Sequence, residues 1–508
     1  MDLQFNLSNN KFLINYNYYN KKELDMKENS IRQSQITYEM LHTKEHTGMS
    51  RRDALKIMGL TGGAAMMLGA PVSAEAGPSS DKKVKVLVVG GGSGGIMALA
   101  RLRSALPNAE ITIIAPNEKH LYQPEQVFVA AGIATVDDMI KENKNFIDED
   151  VHWIKDEVAT FQPTENQVTT RAGKVVAYDY MVVATGMVYH YDWIKGLTEE
   201  DIGKNGIASV YLNNAEAGTA DGGPLTWKWF EAMKKTAASG KKPTVIYTAP
   251  ATPIKCGGAP QKILYLSADH LKKDGLSANY IYATSKSKLF SLPEIETSLT
   301  NVQNRYDTIT NHFGHNLIAI DVKKKVATFE HTYEVKGEYD EDLGEYDVTE
   351  HKEKVDLSYD FIHIVPPMGP PKAIAESKLG WQKGTGKGWL EVDQETLQHR
   401  RYPNIFGIGD ICGIPLGKTG GSARHHGPVT VGNLVAAVEG KPLTEKFDGY
   451  TVCPLKVEYG EIILAEFNYE GLAPSFPLAV EKPRYLWWVF DLYMLKPMYW
   501  HLMLRGWM

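Results

Sequence analysis

One strand that empties into six small residues and then into a helix constrains this chain more than any other feature. Val84-Lys85-Val86-Leu87-Val88-Val89 is a β-branched, apolar run of the kind buried on both faces of a parallel sheet. It meets Gly90-Gly91-Gly92-Ser93-Gly94-Gly95, which contains G-x-G-x-x-G, and Ile96 to Ala105 then reads as a helix. Glycines at those positions let the chain turn tightly and bring its backbone up to a pyrophosphate, which the helix N-terminus then faces. The pattern predicts an α/β fold and places Gly90, Gly92, Ser93, Gly94 and Gly95 against a dinucleotide. Glu110-Ile111-Thr112-Ile113-Ile114 reads as the next strand. An acidic residue is expected at its end to hold ribose hydroxyls. Ala115 stands there instead, and Glu118 is the candidate substitute.

Length and charge narrow the options. A chain of 508 residues has room for two or three domains. A net charge of −6 without a long basic run argues against nucleic acid as a partner. Three cysteines, Cys256, Cys412 and Cys453, cannot build a disulfide framework or a four-cysteine zinc site, and the histidines lack metal-ligand spacing. Residues 1–76 read as a leader. Met49-Ser50-Arg51-Arg52 opens a charged region, an apolar stretch runs from Ile57 to Val72, and Ser73-Ala74-Glu75-Ala76 resembles a cleavage site. The arginine pair makes residues 49–76 similar to a twin-arginine export signal, with Met49 as the expected start and the periplasmic face of the inner membrane as the expected destination.

Two later segments turn a dinucleotide into FAD. Tyr180-Met181-Val182-Val183-Ala184-Thr185-Gly186 and Asn404-Ile405-Phe406-Gly407-Ile408-Gly409-Asp410 are strands ending in A-T-G and G-D. With the first motif they resemble the FAD/NAD-linked disulfide reductase superfamily. That resemblance implies two Rossmann-like domains, the FAD domain being interrupted by the other, and gives Asp410 to the flavin ribitol. The inserted domain begins with the strand Thr244-Val245-Ile246-Tyr247-Thr248, but Ala249 to Pro260 crowds the following turn with proline and has no glycine triplet. NAD(P)H is therefore not expected as a donor. Cys256 stands there beside Lys255, ahead of a helix from Gln261 to Lys273. A cation and a helix N-terminus favour a thiolate, yet free cysteine is commonly a buried structural residue, and local sequence leaves both readings open. Cys412 follows Asp410 by two residues and is expected near the flavin, which suggests a redox pair of Cys256 and Cys412.

The segments Thr252 to Lys262 and Gly409-Asp410-Ile411-Cys412, with Pro415, Lys418 and Thr419, resemble sulfide:quinone oxidoreductases, in the branch that includes the mitochondrial enzyme. So do Glu118 to Pro124, Val365 to Met368, Gly449 to Leu455 and Met503 to Trp507. The resemblance covers residues 82–508. It implies two-electron oxidation of sulfide by Cys256 and Cys412 through FAD to a membrane quinone, with the sulfur acceptor unspecified. It gives the flavin site Gly90, Gly92, Gly95, Val158, Thr185, Gly186, Asp410, Lys418 and Thr419, and leaves Cys453 structural. Some relatives link FAD through an early cysteine; none precedes Cys256 here, so non-covalent FAD is expected. The expected domains are 82–195 and 356–440 for FAD, 196–355 for the insertion and 441–508 for the C-terminal region. Two rivals stand beside this reading: a flavoprotein sulfide dehydrogenase feeding cytochrome c, and a non-catalytic sulfur-binding or redox-sensing flavoprotein.

The C-terminus suggests where the electrons go. Residues 487–508 hold four of the ten tryptophans, but Asp491, Lys496, His501 and Arg505 interrupt the run and Pro497 breaks it. Two short amphipathic helices on a membrane surface are expected rather than a span. The acidic stretch Glu338 to Glu350 is expected to be a solvated loop or hairpin.

Overall fold

The computed structural model describes residues 78–508 apart from 215, 307 and 341–344. The leader, including the twin-arginine segment, lies outside the described residues. The chain enters a parallel sheet with β1 (Lys85–Val89), makes helix α1 (Ser93–Ala105), and continues through β2 (Glu110–Ile114), β3 (His152–Ile154) and β4 (Tyr180–Val183). It then builds a second sheet from β5 (Ile207–Ala208), β6 (Thr244–Ala249), β7 (Asn279–Thr284), β8 (Ile309–His312) and β9 (Phe361–His363), with α2 (Ala259–Lys272) after β6. Finally it returns to the first sheet with β10 (Ile405–Gly407) and α3 (Gly420–Glu439). The first sheet has the order β10-β4-β1-β2-β3 and the second β5-β9-β6-β7-β8. Every pairing in both is parallel.

Burial explains why these runs pair in parallel. Val86 to Val89 are all buried, as are Met181 to Val183 and Val245 to Ala249, because each sheet has helices on one face and antiparallel strands on the other. Strand β9 corrects one expected boundary. Residues 361–363 were expected in the second FAD segment, but they pair with β5 and β6 in the second sheet, because Phe361 and Ile362 pack in the cores beneath it. The acidic stretch falls on a long hairpin, Val326–Asp340 paired with Glu345–Ser358.

Past α3 the chain forms an antiparallel pair, β11 (Thr451–Glu458) and β12 (Glu461–Asn468), and ends in helix. Here too an expectation changes. Pro497 does not separate two helices. Tyr485–Val489 runs into a π-helical turn, Phe490–Leu495, and on into Lys496–His501, where the proline occupies the first turn. The wider π register leaves no backbone N–H that proline would have to supply. Half of the aromatics face inward: Trp487, Trp488, Tyr499 and Trp500 are buried, whereas Tyr485, Tyr493 and Trp507 are exposed. Trp488 meets Phe128 edge-on and Trp500 stacks on Phe146.

Candidate active site

A cavity of about 1580 Å³ runs from the glycine loop after β1 to the C-terminal helix. Gly90, Gly92, Ser93, Gly94, Val158, Thr185, Gly186, Asp410, Lys418 and Thr419 line it, as does Cys256; Gly95 and Cys412 do not. The glycines have separate physical causes. Gly90 has a φ of +113°, and a Cβ there would overlap the Ala184 carbonyl oxygen. Gly95 lies so close to the Gly90 carbonyl that any side chain would push α1 off the sheet. Around Gly92 there is open space.

These residues fit FAD. Backbone N–H groups at the start of α1 face the cavity beside Gly92, the arrangement that binds a diphosphate. Thr185 Oγ1 is buried at the cavity wall with no partner among the described residues, and such a group calls for a ligand atom. Asp410 follows β10; burial raises its carboxyl pKa, and the charges of Lys255 and Lys418 oppose that rise. Lys418 donates to the carbonyl oxygens of Asp410 at 2.6 Å and Cys412 at 3.0 Å and sits 3.6 Å over the Trp389 ring. Burial brings its pKa down to about 8. Glu118 does not serve the cavity: it pairs with Lys155 at 2.6 Å, and Asn117 lines the wall instead.

The C-terminal helix is tied directly to the glycine loop. Tyr499 shares a 2.6 Å hydrogen bond with Ser93 and a short one with His120. His120 bonds Asn143, whose amide donates to the Gly91 carbonyl. Burial holds His120 neutral, with its pKa down to about 4.

The sulfur pair differs from the one expected. Cys256 Sγ lies 3.1 Å from Cys453 Sγ. Cys412 packs with Leu390, Val392 and Ile411, its backbone bridged to Leu390. The tight turn Gly409–Ile411 directs it under the sheet, and burial pushes its thiol up to about 12. Cys453 was missed because its partner comes from a different sheet. Alternation along Thr451-Val452-Cys453-Pro454-Leu455 was the available signal, since Cys453 and Leu455 share the inward face of β11. Gly258 lets the two strands of chain approach: a Cβ there would sit 3.0 Å from the Cys453 sulfur.

Cys256 sits in a strained conformation with φ +52°, rare for a residue with a side chain. Its N–H donates to the Lys418 carbonyl oxygen at 2.9 Å, which joins the second sheet's loop to the flavin loop. Lys262, from the first turn of α2, donates to Cys256 Sγ at 3.1 Å. The hydrogen bond with Cys453 and the Lys262 charge hold the Cys256 thiol well below its ordinary range, against the effect of burial. Cys453 is pushed upward by the same hydrogen bond and by burial. The two shifts run in opposite directions, so Cys256 is the more acidic sulfur of the pair.

The amino-acid sequence was compared with those of known proteins. Residues 84–224 match the model of the pyridine nucleotide-disulphide oxidoreductase family. A mitochondrial sulfide:quinone oxidoreductase of Dictyostelium discoideum is 36% identical over 426 residues, spanning 83% of this chain and 86% of that protein. The chain belongs to the sulfide:quinone oxidoreductase family. The mitochondrial member from Mus musculus is 33% identical over 83% of this chain and 86% of its own. The solved sulfide:quinone oxidoreductase of Aquifex aeolicus shares the fold, with a TM-score of 0.61 and 20% identity over 82% of this chain and 91% of that one. The family's FAD is the group the glycine cradle and Thr185 fit. No helix among the described residues is long and apolar enough to cross a membrane.

Proposed function

We propose that this protein oxidises sulfide to sulfane sulfur and passes two electrons to a quinone, with Cys256 and Cys453 as the reacting sulfurs. The observation that carries this reading is a lysine-paired thiolate, 3.1 Å from a second thiol, on the wall of the cavity that holds the glycine cradle. The oxidised form joins the two sulfurs. Hydrosulfide attacks Cys453 Sγ: a sulfur–sulfur bond forms there, the Cys256–Cys453 bond breaks, and Cys256 leaves as the thiolate. Lys262 stabilises that leaving thiolate. A nucleophilic acceptor takes the outer sulfur from Cys453, and the pair closes again as two electrons leave it. Bound FAD supplies the two-electron path between the thiolate and the quinone. Gly90, Gly92, Ser93, Gly94 and the start of α1 hold its diphosphate, Thr185 and Asp410 its polar atoms, and no covalent link is involved.

The quinone takes the part of the cavity where Leu464, Phe476, Phe490 and Leu495 make an apolar wall. Exposed Tyr485, Tyr493 and Trp507 set this part against the membrane surface. NAD(P)H is not the donor. The decisive experiment is anaerobic: sulfide bleaches the FAD of the purified protein and a short-chain quinone restores its colour. Cys256→Ser and Cys453→Ser retain FAD but do not bleach. A Cys453→Ser variant that bleaches at the normal rate overturns the pairing.

The segment Met49 to Ala76 directs export in this reading, while the curated relatives carry the word mitochondrial in their names. A reporter fused to residues 49–76 decides: loss of export on replacing Arg51 and Arg52 with Lys supports the leader, and export without change overturns it.

A further inference from the structure

The cavity wall contains a buried ion pair whose lysine exerts a smaller charge effect on Cys256 than Lys262 does and whose carboxylate has no part in the sulfur chemistry. Lys456 Nζ, from β11, pairs with Asp491 in the π-helical turn, and both side chains are 2% exposed. Both line the cavity, and the ammonium lies 4.3 Å over the Phe128 ring. Taking such a pair out of water costs several kcal/mol, so it is a poor device for stability. Behind it, Glu125 is 1% exposed. Its Oε1 accepts from Lys496 at 2.8 Å and its Oε2 has no partner among the described residues. Glu125 stands three residues before Phe128, the ring beneath Lys456, and its partner Lys496 follows Asp491 by five residues across the π-helical turn, so the two carboxylates flank the same turn. Lys496 reaches solvent, with its side chain 24% exposed. The groups facing Lys456 are Asp491, Lys262, Cys256 and Glu125, and burial lowers its own pKa.

We propose that Lys456 is the proton donor to the quinone, and that Lys496, Glu125 and Asp491 form the route by which it is refilled from solvent. The inference rests on the quinone occupying the apolar part of the cavity. A quinone becomes a quinol by taking up two electrons, which sulfide oxidation supplies, and two protons. One of those protons leaves Lys456: an N–H bond breaks, an O–H bond forms at a quinone oxygen, and the neutral amine stays beside Asp491. A solvent proton entering at Lys496 then crosses Glu125 and Asp491 to restore the ammonium, which gives up the second proton to the other quinone oxygen in the same way. A protonatable amine held beside a carboxylate, with a second carboxylate leading to the surface, is the construction this transfer requires.

The test uses FAD-loaded protein bleached by sulfide and then mixed with a short-chain quinone. In the double variant Lys456→Met/Asp491→Leu the pair is removed together, which avoids a lone buried charge. Recolouring by quinone is expected to slow at least about tenfold more than bleaching by sulfide does. Its rate should then climb about tenfold for each unit that pH falls, because the proton comes from solution. Glu125→Gln should slow recolouring less and raise its solvent isotope effect. If the double variant does not retain FAD, Lys456→Arg takes its place: it keeps a cation beside Asp491 but does not release its proton. Recolouring within about twofold of the unaltered protein with an unchanged pH profile, or a rise in quinone KM with kcat retained, overturns the proposal. Failure of the unaltered protein to recolour with quinone overturns the functional reading instead.

Discussion

The loops after β1 and after β6 occupy equivalent places in two parallel sheets, yet they do opposite things. The first, Gly90 to Gly95, has no side chain larger than serine and brings backbone to a ligand. The second, Pro250 to Pro260, fills the same position with proline, lysine and Cys256, and its helix α2 opens with Lys262 beneath the sulfur. The helix N-terminus and its partial positive charge are common to both. In one loop that charge faces a glycine cradle that fits a diphosphate. In the other it is joined by an ammonium and serves a thiolate. Architecture supplies the electropositive place, and loop composition decides what occupies it.

The largest effects that could break this comparison lie at the sulfurs. Cys256→Ser or Cys453→Ser should lower sulfide-driven FAD bleaching by at least about a thousandfold, read by stopped-flow absorbance, because the nucleophile or its partner is gone. Next, Gly95→Val should yield protein without FAD, read from the flavin absorbance of the purified chain. A side chain there collides with the Gly90 carbonyl and displaces α1 from the cradle. Lys262→Met should sharpen the comparison rather than break it. With the ammonium gone, the Cys256 pKa rises, so the thiolate survives less as pH falls and the acid limb of alkylation by iodoacetamide moves to higher pH. Sulfide oxidation near pH 7 should drop about tenfold to a hundredfold. The smallest effect is expected at Cys412→Ala: a loss of about 1 kcal/mol in denaturant unfolding and bleaching within about twofold of normal, because this sulfur packs against Leu390 and Val392.

Much of the flavin site is legible in sequence because its elements are local. A strand, a glycine turn and a helix are neighbours in the chain, and each glycine answers to a backbone constraint that sequence order already sets. The A-T-G and G-D strand ends were legible for the same reason. The sulfur pair was not. Cys412 sits beside Asp410 in sequence, and proximity along the chain made it the expected partner. A single turn, Gly409–Ile411, rotates it into the apolar cluster instead. Cys453 comes from β11, outside both parallel sheets, and reaches Cys256 only through the packing of β11 on α2.

The C-terminus divides in the same way. Its aromatic content marked a functional segment, but composition does not say which faces are buried. Tertiary packing turned Trp487, Trp488 and Trp500 inward, tied Tyr499 to Ser93, and set Asp491 against Lys456 from a strand 35 residues earlier.

The sequence by itself determined the α/β class, the FAD cradle, the missing second glycine motif and the presence of a cysteine beside Lys255 ahead of α2. All of these depend on residues within a few positions of one another. Only the tertiary structure decided which sulfur faces Cys256, what Lys262 and Lys456 do, and how the last helix closes the cavity. Those contacts join segments far apart in sequence, and their distances are set by how sheets and helices pack, not by order along the chain.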